Sequence, residues 1–242
     1  MKYLRAVFNV LFAFLLFAIA VPLVLLMIIL SFGTLRNYAI QHIGGFIGRT
    51  VLRAAGIRFE IEQVGAPINQ PAVYLINHSS TIDLFVMIGL GLPRIRFIAK
   101  YELQYNPLFF MLGRLTDQIF IKRQDTEKAV DILQRAYKKI LDNELSVLFA
   151  PEGSRKHEGV IGPFKKGAFR MAIDLNYPIV PIYLSGAQRL NAEKSLISKS
   201  GKVVATIHPP IDTRFWKPDT LDDHIAEVRK MYLRWAGIEM QG

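Results

Sequence analysis

The sequence predicts an α/β fold: a single domain with a mixed, largely parallel sheet flanked by helices, preceded by an N-terminal membrane-associated helical hairpin. The chain has 242 residues, which suits one domain with an appendage. Residues 8–32 are almost wholly apolar, as is typical of a membrane segment. From residue 58 onward, short apolar runs alternate with longer helical patterns, which indicates β–α units.

The apolar N-terminal run lies in a stretch without charge between Arg5 and Arg36. As one helix its 25 residues would rise about 37 Å, more than the roughly 30 Å of bilayer hydrocarbon. Pro22 is expected to kink the helix and split the run into two short pieces, so a tilted span and insertion into one leaflet both stay open. A cleaved signal peptide ending near Ala20 is the alternative, but the apolar run continues twelve residues further.

Residues 36–57 mix aliphatic side chains with arginines at loosely helical spacing. Two interpretations stay open for this second helix of the hairpin. It lies among lipid headgroups with its arginines toward anionic lipid, or it packs on the domain as an ordinary amphipathic helix.

The charge balance points to a polyanionic partner, because 30 Lys and Arg oppose 20 Asp and Glu. Much of the excess precedes the first acidic residue, Glu60: Lys2, Arg5, Arg36, Arg49, Arg53 and Arg58. Since these cations border an apolar helix, they favour a lipid surface over nucleic acid. The absence of cysteine excludes disulfides, thiolate metal sites and cysteine nucleophiles.

The predicted organisation is a membrane-associated segment at 1–57 and an α/β domain at 58–242. The strands are predicted at 58–64, 72–77, 96–100, 118–122, 146–150, 179–184 and 203–207. Helices are predicted after Thr81 and at 126–141, 166–175 and 221–235. Pro181 interrupts one apolar strand, and a proline is expected there only at a sheet edge or a bulge.

Polar residues follow the second predicted strand, where ligand and catalytic groups of α/β sheets collect. His78 and Asp83 are five residues apart, close enough to meet if the histidine lies on the turn and the aspartate on the first helical turn. A carboxylate that fixes one imidazole nitrogen leaves the other free to accept a proton. Taken alone, the pair is equally compatible with a helix cap beside a structural histidine.

Three further polar clusters follow other predicted strands. The segment 149–156 combines glycine, hydroxyl and guanidinium groups that could cradle a phosphate. Arg123 follows the strand at 118–122, and Lys100 ends the strand at 96–100. Each cation by itself is typical of a solvated surface. Their shared position after strands predicts that they converge with His78 at one edge of the sheet.

Four ordered motifs resemble those of the glycerolipid acyltransferases, and most closely the 1-acylglycerol-3-phosphate (lysophosphatidate) acyltransferases. They are Asn77-His78-x-x-x-x-Asp83, Phe120-Ile121-x-Arg123, Pro151-Glu152-Gly153-Ser154-Arg155 and Val180-Pro181-Ile182. The resemblance extends over about residues 70–190. Ser154 stands where threonine is commoner in the family, which retains the hydroxyl.

The resemblance implies acyl transfer from a thioester, acyl-CoA or acyl-carrier protein, to the free hydroxyl of lysophosphatidate. It assigns His78 as the base and Asp83 as its orienting partner. It implies that the acceptor phosphate is bound by Arg123, Glu152, Gly153, Ser154 and Arg155. Lys100 is a candidate contact to the oxyanion or a phosphate, and Ser79 and Ser80 are expected to cap a helix rather than act as nucleophiles.

The expected partners are membrane lipids, the lysophospholipid acceptor and the acyl donor, with no nucleic acid, no metal and no cofactor besides the donor. The expected location is the inner membrane, with the catalytic domain on the cytoplasmic side. Two alternatives remain open: another acceptor, such as lyso-ornithine lipid, lysophosphatidylethanolamine or dihydroxyacetone phosphate, and a non-catalytic membrane adaptor.

Overall fold

The centre of the protein is a seven-stranded sheet in the order β1-β7-β6-β2-β5-β3-β4. The computed structural model describes residues 2–78, 80–121, 126–153, 161–190 and 199–238. Every neighbouring pair of strands is parallel except β6 with β7, which is antiparallel. The predicted mixed, largely parallel sheet is therefore confirmed.

All seven predicted strands are present, with ends that differ by at most two residues. They are β1 Ile57–Gln63, β2 Val73–Ile76, β3 Ile95–Lys100, β4 Ile119–Ile121, β5 Ser146–Phe149, β6 Ile179–Ser185 and β7 Gly201–Ile207. The central strand β2 is buried at every residue. Such a strand reads as a continuous apolar run because both faces of the sheet are covered.

The helices comprise the four that the patterns predicted and several others. They are α1 Lys2–Leu30, α2 Arg36–Tyr38, α3 Gly45–Ala54, α4 Asp83–Gly89, α5 Pro107–Leu115, α6 Thr126–Asp142, α7 Gly167–Leu175, α8 Ala187–Leu190 and α9 Leu221–Trp235, with a π-helical turn at Ala39–Gly44 and 3₁₀ turns at Tyr101–Tyr105 and Pro218–Thr220. Helix α5 was not predicted because its sequence, PLFFMLGRL, is short and apolar except at Gly113 and Arg114, and such a run does not distinguish a helix from a strand.

Two apolar clusters sandwich the sheet. One joins it to helices α6, α7 and α9, and Leu75 and Val73 of β2 face this side. The other joins it to α3 and α4, and Tyr74 and Ile76 face that side. Because alternate side chains of β2 enter opposite clusters, the strand is held on both faces and its C-terminal end has a defined position.

Helix α1 is continuous through Pro22, so the predicted split of the apolar run at this residue is wrong. A proline removes only one backbone hydrogen bond, and the neighbouring turns retain theirs. Residues Leu11–Leu30 are long and apolar enough to cross a membrane, and only 11% of the window lies buried inside the protein.

Helix α3 returns from the turn after α1 and packs against α4 of the domain. Its residues Ile47, Val51 and Leu52 are buried. At Gly48 an added Cβ would lie 2.7 Å from the backbone nitrogen of Gly89, so the two helices are in backbone contact. Packing on the domain is therefore confirmed, whereas contact of the arginines in this segment with lipid headgroups stays a prediction.

Pro181 does not lie in an edge strand, because β6 runs between β7 and β2. The antiparallel pairing with β7 begins at Ile182, and the carbonyl of Pro181 accepts the N–H of His208 at 2.9 Å. The missing N–H of proline therefore falls beside a break in this ladder, because pairing resumes between Ile179 and Ile211 and leaves two residues of β6 opposite the three residues 208–210. The edge-strand alternative is wrong, whereas the unequal number of residues agrees with the bulge alternative.

Candidate active site

The C-terminal end of β2 opens into the turn that carries His78. Asn77 continues the strand through its side chain, which accepts the N–H of Leu184 at 2.7 Å and donates to the carbonyl of Leu184 at 3.0 Å. A side-chain amide thus replaces a backbone pair between β2 and β6. This double hydrogen bond positions the residue directly before His78 in the protein interior.

His78 and Asp83 are in direct contact across the turn that leads into α4. The Nδ1 atom of His78 lies 2.9 Å from Oδ2 of Asp83, and the same oxygen accepts the backbone N–H of Ser80 at 2.7 Å. The side chain of Asp83 is fully buried, whereas 24% of the histidine side chain is exposed. A carboxylate accepts hydrogen bonds only, so it fixes the proton on Nδ1 and leaves Nε2 as the acceptor.

Ser80 shapes this turn, and its hydroxyl does not cap α4 in the way that the sequence suggested. Its Oγ accepts the N–H of Ile82 at 3.3 Å. Ile82 is the N-cap residue, one position before the first helical residue, and no side chain caps the helix there. Ser79 lies outside the described residues.

Glu152 links the histidine turn to a distant segment of the chain. Its Oε1 accepts the backbone N–H of His78 at 3.0 Å, and its Oε2 accepts the N–H of Gly162 at 3.0 Å. The residue is 5% exposed. Hydrogen bonds from neutral backbone groups to a buried carboxylate are strong, so Glu152 holds the backbone of His78 in place.

The C-terminal helix α9 supports the same arrangement from behind. Arg229 donates through Nε to the carbonyl of Gly162 at 2.9 Å and through Nη2 to that of Ile161 at 2.8 Å. Three residues further along α9, the hydroxyl of Tyr232 donates to the carbonyl of Leu75 at 2.8 Å and accepts the N–H of Ile182 at 3.2 Å. Burial raises the pKa of Tyr232 well above its usual value, so it stays protonated and able to donate.

Gly153 adopts a left-handed conformation with φ of +68°, which favours glycine at this position. A Cβ built on Gly153 would lie 2.8 Å from Nζ of Lys165, so an ammonium group sits beside the motif. Lys165 was not predicted to be a residue of this site. The sequence feature that could have identified it is the pair of lysines at 165–166, at the start of the predicted helix 166–175. Two adjacent lysines are, by spacing alone, typical of surface charge.

The structure therefore brings together His78, Asp83, Glu152 and Gly153, which the sequence placed in one site. Lys100 ends β3 at the same edge of the sheet, two strands away from β2. Arg123, Ser154 and Arg155 lie outside the described residues, so their predicted contacts stay predictions. Within the described part of the chain, no three His, Asp or Glu residues cluster closely enough to hold a metal ion.

Comparison with known proteins identifies relatives by sequence and by structure. The sequence profile of a family described as Acyltransferase matches residues 56–185. A 1-acyl-sn-glycerol-3-phosphate acyltransferase of Limnanthes alba is 31% identical over 191 residues, which cover 79% of this chain and 68% of the relative. The alpha form of the enzyme from Bos taurus is 35% identical over 181 residues, or 74% of this chain and 62% of the relative.

The fold also matches a solved structure. The crystal structure of the 1-acyl-sn-glycerophosphate acyltransferase of Thermotoga maritima superposes with a TM-score of 0.77 at 24% sequence identity, and the match covers 100% of both chains. The likeness therefore includes the N-terminal helices as well as the sheet.

Proposed function

This chain belongs to the acyltransferase family, and we propose that it transfers a fatty acyl chain from an acyl thioester to the free hydroxyl of lysophosphatidate, which gives phosphatidate for phospholipid biosynthesis. The observation that carries the proposal is the contact between His78 and the buried Asp83 at the C-terminal end of β2. An imidazole held in this way is a general base for an alcohol.

The reaction proceeds in one displacement through a tetrahedral intermediate. Nε2 of His78 takes the proton of the acceptor hydroxyl as its oxygen attacks the thioester carbonyl. Asp83 stabilises the imidazolium that forms. When the carbon–sulfur bond breaks, the imidazolium returns the proton to the departing thiolate, so a free thiol and the new ester are released. No acyl-enzyme is needed, which agrees with the structural role of Ser80 in the turn.

Glu152 acts on the main chain of His78 in this proposal rather than on the acceptor phosphate. Both of its carboxylate oxygens accept backbone N–H groups, and a carboxylate repels a phosphate. The acceptor phosphate is held by Arg123, Ser154 and Arg155, together with the backbone at Gly153. Lys165, beside Gly153, adds a further cation at this position.

Helix α1 anchors the enzyme to the membrane that supplies its acceptor and receives its product. Phe14 is 72% exposed and Leu23 is 60% exposed on this helix, and such apolar side chains need a lipid environment. We place the enzyme on the inner membrane with the α/β domain in the cytoplasm, because acyl thioesters are made there. Anionic headgroups would attract the exposed cations of this N-terminal region, such as Arg53.

The test is an assay of the purified protein in detergent or nanodiscs, with palmitoyl-CoA and palmitoyl-carrier protein as donors. The acceptors are lysophosphatidate, lysophosphatidylethanolamine, lyso-ornithine lipid and dihydroxyacetone phosphate, and the products are identified by mass spectrometry. We expect phosphatidate as the main product. Turnover with another acceptor only would reject lysophosphatidate, and no turnover with any pair would favour the adaptor alternative.

Two variants probe the site in the same assay. His78→Ala removes turnover while thermal unfolding and vesicle flotation stay at wild-type values, and retained turnover would reject the base assignment. Arg155→Ala raises KM for lysophosphatidate by about tenfold or more, because a bidentate contact to phosphate is lost. Arg170→Ala, at an exposed position of α7, is the matched control.

A further inference from the structure

A polar cleft of about 620 Å³ lies at the N-terminal edge of the sheet, away from the site described above. It is enclosed by the turn that follows α1, the start of β3 and the loop that joins α6 to β5. Arg96 of β3 and Val73 of β2 are both level with Val147 of β5, and His78 follows Val73 by five residues. The cleft therefore lies about 16 Å from His78 along the strands.

The inner side of this cleft is lined by Arg96, a buried arginine of which only 2% is exposed. Its guanidinium donates to two neutral oxygens, the carbonyl of Ile95 at 2.9 Å and Oδ1 of Asn37 at 2.8 Å, and its Nε makes no hydrogen bond. Burial lowers the pKa of Arg96 to about 10, so it stays charged at neutral pH. A guanidinium has five N–H donors, so both donors and charge remain uncompensated in the protein interior.

Three carboxylates also line the cleft, and within the part of the chain that the structure describes none of them contacts Arg96. Two are engaged by other cations and the third is exposed: Asp117 pairs with Lys139 and Arg36, Glu144 pairs with Arg94, and Asp142 ends α6 at the surface. The buried charge of Arg96 is therefore available to an anion that enters the cleft.

An apolar groove adjoins the cleft and runs along the outer side of α1. It is formed by Leu23, Leu26, Met27 and Leu30 of the helix and by Ser31 and Leu35 of the turn after it. Leu35 lies between Thr34 and Arg36, which both line the polar cleft. Leu30 is 69% exposed and Phe32, in the same turn, is 96% exposed. An apolar surface beside a buried cation matches a ligand with an anionic head and an apolar tail.

We propose that this composite surface binds a phospholipid of the membrane, with its phosphate against Arg96 in the polar cleft and one acyl chain along the groove on α1. A phosphodiester supplies the negative charge and the hydrogen-bond acceptors that Arg96 lacks. Because the exposed carboxylate of Asp142 stands at the cleft, a headgroup with an amine beyond its phosphate, such as phosphatidylethanolamine, fits better than one with further negative charge.

The groove favours a lipid over a free phosphate ion. Inorganic phosphate could neutralise Arg96, but it would leave Leu30 and its neighbours exposed to water. The lipid would also join α1 to the start of β3, since the cleft is lined by both. This inference goes beyond the proposed reaction, and it is tested by binding without turnover.

The first experiment adds ligands to the purified, delipidated full chain in detergent. Dioleoyl-phosphatidylethanolamine raises the melting temperature and is retained in native mass spectrometry, because it binds the folded state only. Dioleoylglycerol, which has the same chains without the phosphate, and inorganic phosphate do neither. An equal rise with dioleoylglycerol or with inorganic phosphate would overturn the proposal, as would the absence of bound phosphatidylethanolamine.

Variants of Arg96 separate lipid binding from a purely structural role. Arg96→Met weakens the binding of dioleoyl-phosphatidylethanolamine by about tenfold, and Arg96→Lys, which keeps the charge, weakens it less. Asn37→Ala removes one acceptor of the same guanidinium and keeps its charge, so binding weakens by at most about threefold. Equal losses in Arg96→Met and Asn37→Ala would show that Arg96 only joins α2 to β3, and would overturn the proposal.

A second pair of variants tests the groove without a change in the buried arginine. Leu30→Glu places a charge in the groove and weakens the binding of dioleoyl-phosphatidylethanolamine by about tenfold. Leu15→Glu, at an exposed position of α1 outside the groove, is the matched control and leaves binding unchanged. Equal binding by the two variants would overturn the assignment of the acyl chain to this groove.

Discussion

Nδ1 of His78 lies 2.9 Å from Oδ2 of Asp83, and this oxygen also accepts the backbone N–H of Ser80 at 2.7 Å. One buried carboxylate oxygen therefore orients the imidazole and closes the turn that presents it. Because one atom makes both contacts, a change at Asp83 affects the orientation of the His78 ring and the backbone of the turn at Ser80.

Asp83→Asn lowers kcat by about 100-fold or more, because a neutral amide neither selects the Nδ1–H tautomer nor stabilises the imidazolium. KM for both substrates stays within about twofold, since neither substrate contacts this buried side chain. The measurement is steady-state kinetics beside thermal unfolding, with the exposed Asp223→Asn as control. Turnover above half of the wild-type value would contradict the role of Asp83.

Glu152→Gln lowers kcat by about tenfold, because the amide NH₂ must face an N–H group of His78 or Gly162 and the two donors repel. Loss of a phosphate ligand would instead raise KM for lysophosphatidate with little change in kcat. A change in kcat therefore indicates that Glu152 positions His78, and a change in KM indicates that it binds the acceptor phosphate. Glu144→Gln, an exposed carboxylate that pairs with Arg94, serves as the comparison.

Arg229→Ala lowers kcat by about tenfold through the loss of its two hydrogen bonds to the segment that binds Glu152. Arg229→Lys restores one of the two bonds, so its kcat falls between those of alanine and wild type. Both variants retain wild-type KM values. The neighbouring exposed Lys230→Ala leaves kcat unchanged, and an equal loss in the lysine and alanine variants would contradict this order.

Tyr232→Phe destabilises the domain by about 1–3 kcal/mol, because the carbonyl of Leu75 and the N–H of Ile182 lose a buried partner. Denaturant unfolding in detergent measures the change. Tyr137→Phe removes an exposed hydrogen bond to Asp174 and costs less than about 1 kcal/mol. Equal losses in the two variants would show that the buried bridge adds nothing.

His208 makes the stability of the domain depend on pH. Its ring stacks on Trp235 with centroids 3.6 Å apart, and burial lowers the pKa of His208 below its usual value of 6.5. As the pH falls below about 6.5, the unfolded chain binds a proton at this position before the folded protein does, so stability decreases. The variant His208→Phe keeps the stacking on Trp235. Between about pH 7.5 and 5.5 its melting temperature decreases less than that of the wild type. An identical decrease in both proteins would contradict the assignment.

Much of the fold follows from local sequence patterns. Short apolar or alternating runs identified all seven strands, and amphipathic periodicity identified α6, α7 and α9, because these patterns record burial on one or two faces. The pattern did not identify α5, because a short run that is apolar at nearly every position fits a helix and a strand equally well. The prediction that Pro22 splits the apolar run was also wrong, since the neighbouring turns of α1 keep their hydrogen bonds without the N–H that proline lacks.

The pairing of His78 with Asp83 was readable from the sequence because the two residues belong to one strand–turn–helix unit. The hydrogen bonds that hold this pair in place could not be predicted from the sequence. Glu152 contacts the N–H of His78 from 74 residues away, and Tyr232 reaches Leu75 across 157 residues. Such contacts depend on how strands and helices stack in three dimensions, and no local periodicity records them. By itself the sequence determined the strands, the apolar anchor and the histidine turn, whereas only the tertiary structure decided which distant groups hold that turn.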